Sequence, residues 1–251
     1  MKHKKVITAA VCVLLAVSII SAGGYAVNMF GLLNEGNKSE YSAQDAPVFD
    51  TALRGKTVIF LGSSVTYGFG SKGESFVEYF EKQYGVNAVK EAVSGTTLAD
   101  ISEKSYVSRL KKIDTSIKAD AFVCQLSTND AAKNIPLGET VACGSYDTST
   151  VAGAIEYIID YVKSAFNCPV IFYTGTKYDS ENYEKMVSLL HEIAVKHGVG
   201  VIDLWNSPAM NAVSEEDYKL YMTDPIHPSR AGYRDWWTPV MAEYLIDYLG
   251  G

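Results

Sequence analysis

Apolar residues along this chain fall into two alternating patterns. Short continuous runs occur at Thr57-Val58-Ile59-Phe60-Leu61, around Ala88 to Val93, at Ala121-Phe122-Val123-Cys124-Gln125-Leu126, at Pro169-Val170-Ile171-Phe172-Tyr173 and at Val199-Gly200-Val201-Ile202-Asp203. Between them, apolar positions recur at intervals of three and four. Phe76, Tyr79 and Phe80 begin the series, and a polar helical region runs on to Leu110. Val151, Ile155, Ile158, Ile159 and Val162 form the next face, then Tyr183, Met186, Val187, Leu190 and Ile193, and lastly Trp237, Val240, Met241, Tyr244, Leu245 and Tyr248. The runs read as strands buried on both faces and the periodic stretches as amphipathic helices. Thr148 or Ser149 is the expected cap of the second helix and Gly198 the stop of the third. Pro239 should either kink the last helix or start it, with Thr238 as its cap.

Strands that alternate with helices in this way predict an α/β fold with a parallel sheet covered on both sides. Ligands in such sheets bind beyond the carboxyl ends of the strands. That rule directs attention to the residues just after each apolar run.

The beginning of the chain reads differently. Lys2, Lys4 and Lys5 precede an uncharged stretch, most apolar from Val6 to Ile20 and followed by Ser21-Ala22-Gly23-Gly24. A basic start, an apolar run and small residues fit a secretory signal. An uncleaved signal anchor fits as well, since about twenty apolar residues can span a bilayer. Either way the lysines favour the inner side and put the remainder outside the cytoplasm. The expected division is 1–30 as leader, 31–54 as a polar linker or stalk, and 55–251 as one catalytic domain.

Without those three lysines, 19 of the 22 basic residues stand against 29 acidic ones, so the net charge moves from −7 to −10. Such a surface repels phosphate backbones, which excludes nucleic acid as a partner. Cys12 lies in the leader, and an odd count remains in Cys124, Cys143 and Cys168. That is no disulfide framework, although Cys143 and Cys168 are a candidate pair. No ligand spacing suggests a metal site, and no cofactor is called for.

Three segments after the apolar runs carry chemistry. Gly62-Ser63-Ser64 follows the first strand, Ser127-Thr128-Asn129-Asp130 the third, and Asp224-Pro225-Ile226-His227-Pro228 lies near the end of the chain. A glycine before Ser64 allows a sharp turn that presents the hydroxyl. Of the four histidines, His3 is in the leader and His191 and His197 sit on a predicted helix; only His227 occupies a loop. Imidazole is the side chain able to take a serine proton near neutral pH. Asp224 could fix its tautomer, with Asp203 at the end of the fifth strand as the rival. Asn129, and the backbone N–H of Gly95 after the second strand, could donate to an oxyanion. Each feature also has an ordinary structural reading as a turn or a helix cap; their joint position at strand ends favours a site.

These segments resemble the motif blocks of the SGNH (GDSL-type) hydrolase family, from Thr57 to Tyr248. The resemblance implies Ser64 as nucleophile, Gly95 and Asn129 with the Ser64 N–H as oxyanion donors, and Asp224 with His227 as acid and base. It implies a flavodoxin-like three-layer α/β/α sandwich with five parallel strands. Two positions depart from the pattern: Ser63 where the family usually has Asp, and Ser127 where it usually has Gly. The implied activity is hydrolysis of carboxylic esters through an acyl-enzyme.

For the substrate, the polar insertion Ala131 to Ser149 carries no long apolar run of the kind a lipase lid needs. Tyr67, Tyr146, Tyr173, Tyr178 and Trp205 are expected near strand ends, where aromatic faces suit sugar rings. The reading is O-acetyl groups on a glycan, with a short-chain acyl esterase or lysophospholipase as the enzymatic alternative. A silent carbohydrate-binding module is the alternative from another class.

Overall fold

The computed structural model describes residues 31, 33–141 and 144–250. The leader expected over 1–30 and Cys143 lie outside them; Cys168 is a buried free thiol. Among the described residues no helix is long and apolar enough to cross a membrane.

Five strands form one sheet in the order β2-β1-β3-β4-β5, every pair parallel. They are β1 Thr57–Gly62, β2 Asn87–Ala92, β3 Ala121–Gln125, β4 Val170–Tyr173 and β5 Gly200–Ile202. The helices are α1 Ser64–Tyr67, α2 Phe76–Tyr84, α3 Tyr106–Leu110, α4 Thr128–Ala132, α5 Val151–Ala165, α6 Glu181–His197, α7 Pro208–Asn211, α8 Glu215–Tyr221 and α9 Thr238–Gly250. Helices cover both faces, so the expected three-layer α/β/α sandwich is the fold.

The pleat explains how one sheet serves two cores, because successive side chains point to opposite faces. Ile59, Leu61, Phe122 and Cys124 pack with α3, α5 and α6. Val58, Phe60, Val123 and Ile171 pack with α2 and α9. On that second face Phe76 meets Tyr173 edge-on at 5.1 Å, and Tyr173 meets Trp237 at 6.4 Å.

Two helix boundaries differ from expectation. The cap of α5 is Thr150, whose Oγ1 accepts the N–H of Gly153, rather than Thr148 or Ser149. Thr238 is no cap either: its φ of −59° and ψ of −41° are helical. The helix instead begins earlier, with a π-helical stretch Gly232–Trp237 that runs into α9. Proline lacks an N–H and crowds the carbonyl four residues back, and the wider π turn relieves that conflict without ending the helix. Gly198 stops α6 as expected, in the left-handed conformation at φ 61°.

Residues 34–46, ahead of the first strand, form three short 3-10 turns against the domain. Tyr79 donates its hydroxyl to the Tyr41 carbonyl at 2.6 Å, and the Ala43 N–H donates to the Glu74 carboxylate at 2.8 Å.

Candidate active site

The carboxyl ends of β1 and β3, where the strand order reverses, bear the Ser64 and Asn129 loops. β1 ends at Gly62, and the chain turns at once into α1. A side chain at Gly62 could not fit, since its Cβ would lie 1.7 Å from Thr66 Oγ1. Ser63 adopts φ −120° and ψ −134°, and Ser64 opens the helix. Its N–H is one of the first-turn groups with no intrahelical acceptor.

Gln125, buried at the end of β3, holds this turn from beneath. Its Oε1 accepts the Ser63 N–H at 2.9 Å and the Thr66 hydroxyl at 3.0 Å. Thr66 in turn bonds the Tyr173 hydroxyl at 2.7 Å. Where the family's usual Asp is missing, Ser63 Oγ receives an N–H of the Asn129 amide at 3.2 Å. The other amide hydrogen goes to the Thr96 carbonyl at 3.0 Å. Ser127, at φ −74° and ψ 123°, sits in ordinary extended backbone, so glycine is not required there.

His227 reaches this turn from the far end of the chain. Its Nε2 is 2.8 Å from Ser64 Oγ, and its Nδ1 is 2.7 Å from Asp224 Oδ2. Asp224 Oδ1 accepts the N–H groups of Ile226 at 2.7 Å and His227 at 2.9 Å, which fixes the carboxylate plane. Burial alone would raise the Asp224 carboxyl, but the His227 ring and those N–H donors hold it below the usual carboxylate range. The rival acid is engaged elsewhere: Asp203 bonds His191 at 2.8 Å and Asn206 at 2.8 Å. His197 likewise has its own partner, the Glu156 carboxylate at 3.1 Å.

Gly95 adopts φ +78°, a conformation that suits glycine, and nothing lies within 4 Å of where its Cβ would be. Two buried groups brace its loop. Asp130 accepts the N–H groups of Leu98 at 2.7 Å and Ala99 at 2.9 Å; burial lifts its carboxyl above the usual range, against those N–H bonds. Arg109 donates to the Gly62 carbonyl at 2.7 Å, the Thr96 hydroxyl at 3.3 Å and the Glu91 carboxylate at 2.9 Å. The sequence offered no signal for Arg109, whose helix neighbours are unremarkable. Gln125 had a weak one, a polar residue at the end of an apolar run.

The residues that follow Ser64 and those that end β2 line an open groove of about 780 Å³, with Tyr67, Phe69 and Lys72 on one side and Ala92, Val93 and Ser94 on the other. The Phe69 ring lies 5.2 Å from the His227 ring, centre to centre. Of the aromatic residues expected near strand ends, Tyr67 alone is in this groove, 47% exposed. Tyr173 and Trp205 belong to the core, because their bodies fill the two faces of the sheet. Tyr178 packs on Tyr183 and Trp205, and Tyr146 donates its hydroxyl to Asp160 on α5. Among the described residues no group of three or more His, Cys, Asp or Glu is arranged to hold a metal ion.

A serine hydroxyl, an imidazole and a carboxylate in one hydrogen-bonded line, beyond the carboxyl ends of a parallel sheet, are the arrangement of a serine hydrolase. Residues 60–234 match the GDSL-like Lipase/Acylhydrolase family, and the chain belongs to it. No curated protein sequence matches it. Among solved structures, one is 26% identical, with a TM-score of 0.66 over 78% of this chain and 98% of its own. A protein from Lactobacillus plantarum is 18% identical, with a TM-score of 0.66 over 77% of this chain and 97% of its own. A variant of an acetyl-xylooligosaccharide esterase from Geobacillus is also 18% identical, with a TM-score of 0.55 over 79% of this chain and 95% of its own.

Proposed function

We propose that this chain is an extracytoplasmic serine esterase that removes O-acetyl groups from carbohydrate through an acyl-enzyme, with residues 1–30 as its leader and 55–251 as its hydrolase domain. The observation that carries the reading is the line from Asp224 through His227 to Ser64, at 2.7 and 2.8 Å. With Nδ1–H donated to Asp224, Nε2 is left as the acceptor for the serine proton. Ser64 Oγ attacks the acetyl carbonyl as His227 takes its proton. The N–H groups of Ser64 and Gly95 donate to the oxyanion, joined by the Asn129 amide hydrogen that leaves Ser63 Oγ, its longer bond at 3.2 Å, when the substrate binds. His227 then protonates the departing sugar oxygen. Water, deprotonated by the same imidazole, attacks the acetyl-serine and releases acetate. The sequence of steps needs no metal or organic cofactor.

The polar 131–149 insertion and the half-exposed Tyr67 on the groove favour a sugar as the alcohol part. An acetylated-xylooligosaccharide esterase shares the fold, which is the extent of that likeness. A second reading, a longer-chain acyl esterase or lysophospholipase, is favoured by the apolar wall of Phe69, Ala92 and Val93.

The test compares wild type and Ser64→Ala with a fluorophosphonate probe, acetylated xylan, and acetyl and decanoyl nitrophenyl esters. The proposal expects labelling at Ser64, acetate release, preference for acetyl, and loss of all of these in the variant. Retained hydrolysis in Ser64→Ala overturns the site. Preference for decanoyl replaces the glycan reading with the lipid one. A wild-type protein that binds xylan without labelling is a binding module.

A further inference from the structure

The segment before β1 lies outside the stretch matched to the family, which begins at residue 60. Yet it holds one of the most completely bonded side chains in the molecule. Asn37 is 1% exposed. Its Nδ2 donates to the carbonyls of Gly31 at 2.6 Å and Gly70 at 2.7 Å, and its Oδ1 accepts the Arg230 N–H at 2.9 Å. Both amide hydrogens and the amide oxygen are used. Lys72 Nζ adds a bond to the Asn37 backbone carbonyl at 2.9 Å.

The two loops joined in this way are those that bring the reacting groups together. Gly70 follows α1, the helix that Ser64 opens, and Arg230 comes three residues after His227. They are already in contact: a Cβ on Gly70 would lie 2.9 Å from His227 Cβ and 2.4 Å from Thr223 Oγ1. The strap is equally close to the histidine loop. A Cβ on Gly36 would lie 2.0 Å from the Leu220 carbonyl and 2.3 Å from Ser229 Oγ, and Asn34 Nδ2 donates to the Met222 carbonyl at 3.0 Å.

Ser64 and His227 are separated by 163 residues of chain. Among the described residues no strand pairs with the His227 loop, whose one antiparallel bridge, between Met222 and Pro228, is internal to it. Its seat depends on side chains: Tyr233 donates its hydroxyl to the Val65 carbonyl at 2.7 Å, Arg230 pairs with Glu74, and Asn37 bonds the backbone of both Gly70 and Arg230.

We infer that Asn37 is a positioning residue for the Ser64–His227 pair, and that the strap carrying it is part of the catalytic unit rather than a spacer. The inference rests on the proposed roles of Ser64 and His227. Without the clamp the two loops part by fractions of an ångström, and displacements on that scale cost rate far more than they cost stability.

The full chain carrying Asn37→Ala is compared with wild type by 4-nitrophenyl acetate kinetics and by the rate of fluorophosphonate labelling at Ser64. Ile158→Ala on α5 serves as a control that loses core packing on the other face of the sheet. Asn34→Ala is a milder second variant, should Asn37→Ala fold poorly. The expected result is a fall of about tenfold or more in kcat for Asn37→Ala and of a few-fold for Asn34→Ala. KM should stay near wild type, and the labelling rate should fall in parallel. Ile158→Ala should lower the melting temperature with kcat at 25 °C unchanged. The inference is overturned if the Asn37 and Asn34 variants keep wild-type kcat and labelling, or lose them only as the unfolded fraction rises, as the Ile158 control would. If wild type itself is not labelled at Ser64, the proposed function fails first, and separately.

Discussion

Replacing Asp224 by Asn tests the site more sharply than removing the nucleophile, because the surrounding donors dictate which way the new amide must face. Asp224 Oδ1 accepts two backbone N–H groups, at 2.7 and 2.9 Å, and Oδ2 faces His227 Nδ1 at 2.7 Å. An asparagine cannot turn its NH2 toward those two N–H donors without losing both bonds. Its oxygen therefore stays with the backbone and its NH2 confronts Nδ1. The imidazole answers by carrying its proton on Nε2, the nitrogen 2.8 Å from Ser64 Oγ, and can no longer accept the serine proton. The shape and packing of the loop are unchanged, so the loss falls on catalysis. A wrong tautomer of this kind lowers kcat by about 10⁴-fold, equivalent to about 5.5 kcal/mol of barrier. Asp203 offers no substitute, being occupied by His191 and Asn206. The assay is acetyl-ester hydrolysis at pH 7 to 8, with the melting temperature measured alongside. A variant that folds normally and keeps more than a tenth of wild-type kcat would refute the argument that Asp224 sets the tautomer.

Arg109→Met should lower stability by about 3 kcal/mol, read as a shift of the urea midpoint, since it strips the Gly62 carbonyl and Glu91 of a buried cationic donor. It should lower kcat as well, because Gly62 and Thr96 flank the proposed nucleophile Ser64 and the proposed oxyanion donor Gly95; an unchanged midpoint and kcat would contradict this. Acid should weaken the fold in a defined window. Burial works against the charged forms of Asp100, Asp203 and Asp224, yet hydrogen bonds from Ser105, Asn206 and His227 respectively hold all three below the ordinary range. Folded values below unfolded ones mean stabilisation that is present above about pH 4 and lost as pH falls through the folded values. Urea midpoints from pH 7 to pH 2.5 should therefore be level until about pH 5 and then decline; a rise on acidification would reverse the assignment.

Much of this molecule was legible in one dimension. The strands β1 and β3 and the helices α5 and α6 follow from local periodicity, since a residue's alternation or recurrence is set by the backbone geometry of its own segment. Ser64 and His227 stood out by residue type and by their place beyond a strand or in a loop. What periodicity could not reveal was the helix start near Thr238, where the conflict created by Pro239 is resolved upstream by a π turn. Nor could it sort the aromatic residues: Tyr67 closes α1 just beyond β1 and Tyr173 closes β4, but one meets solvent and the other Phe76.

By itself, then, the order of residues determined the class of fold, the strand ends where chemistry could occur and the types of group available there, because these depend on contacts within a few residues. Only the tertiary structure set Asp224 rather than Asp203 against His227, brought Gln125 and Arg109 under the Ser64 turn, and set Asn37 between the two loops. Those are hydrogen bonds between residues far apart in the chain. A buried amide or guanidinium finds its partners through the packing of the whole domain, and nothing in its neighbours along the sequence specifies which carbonyls those will be.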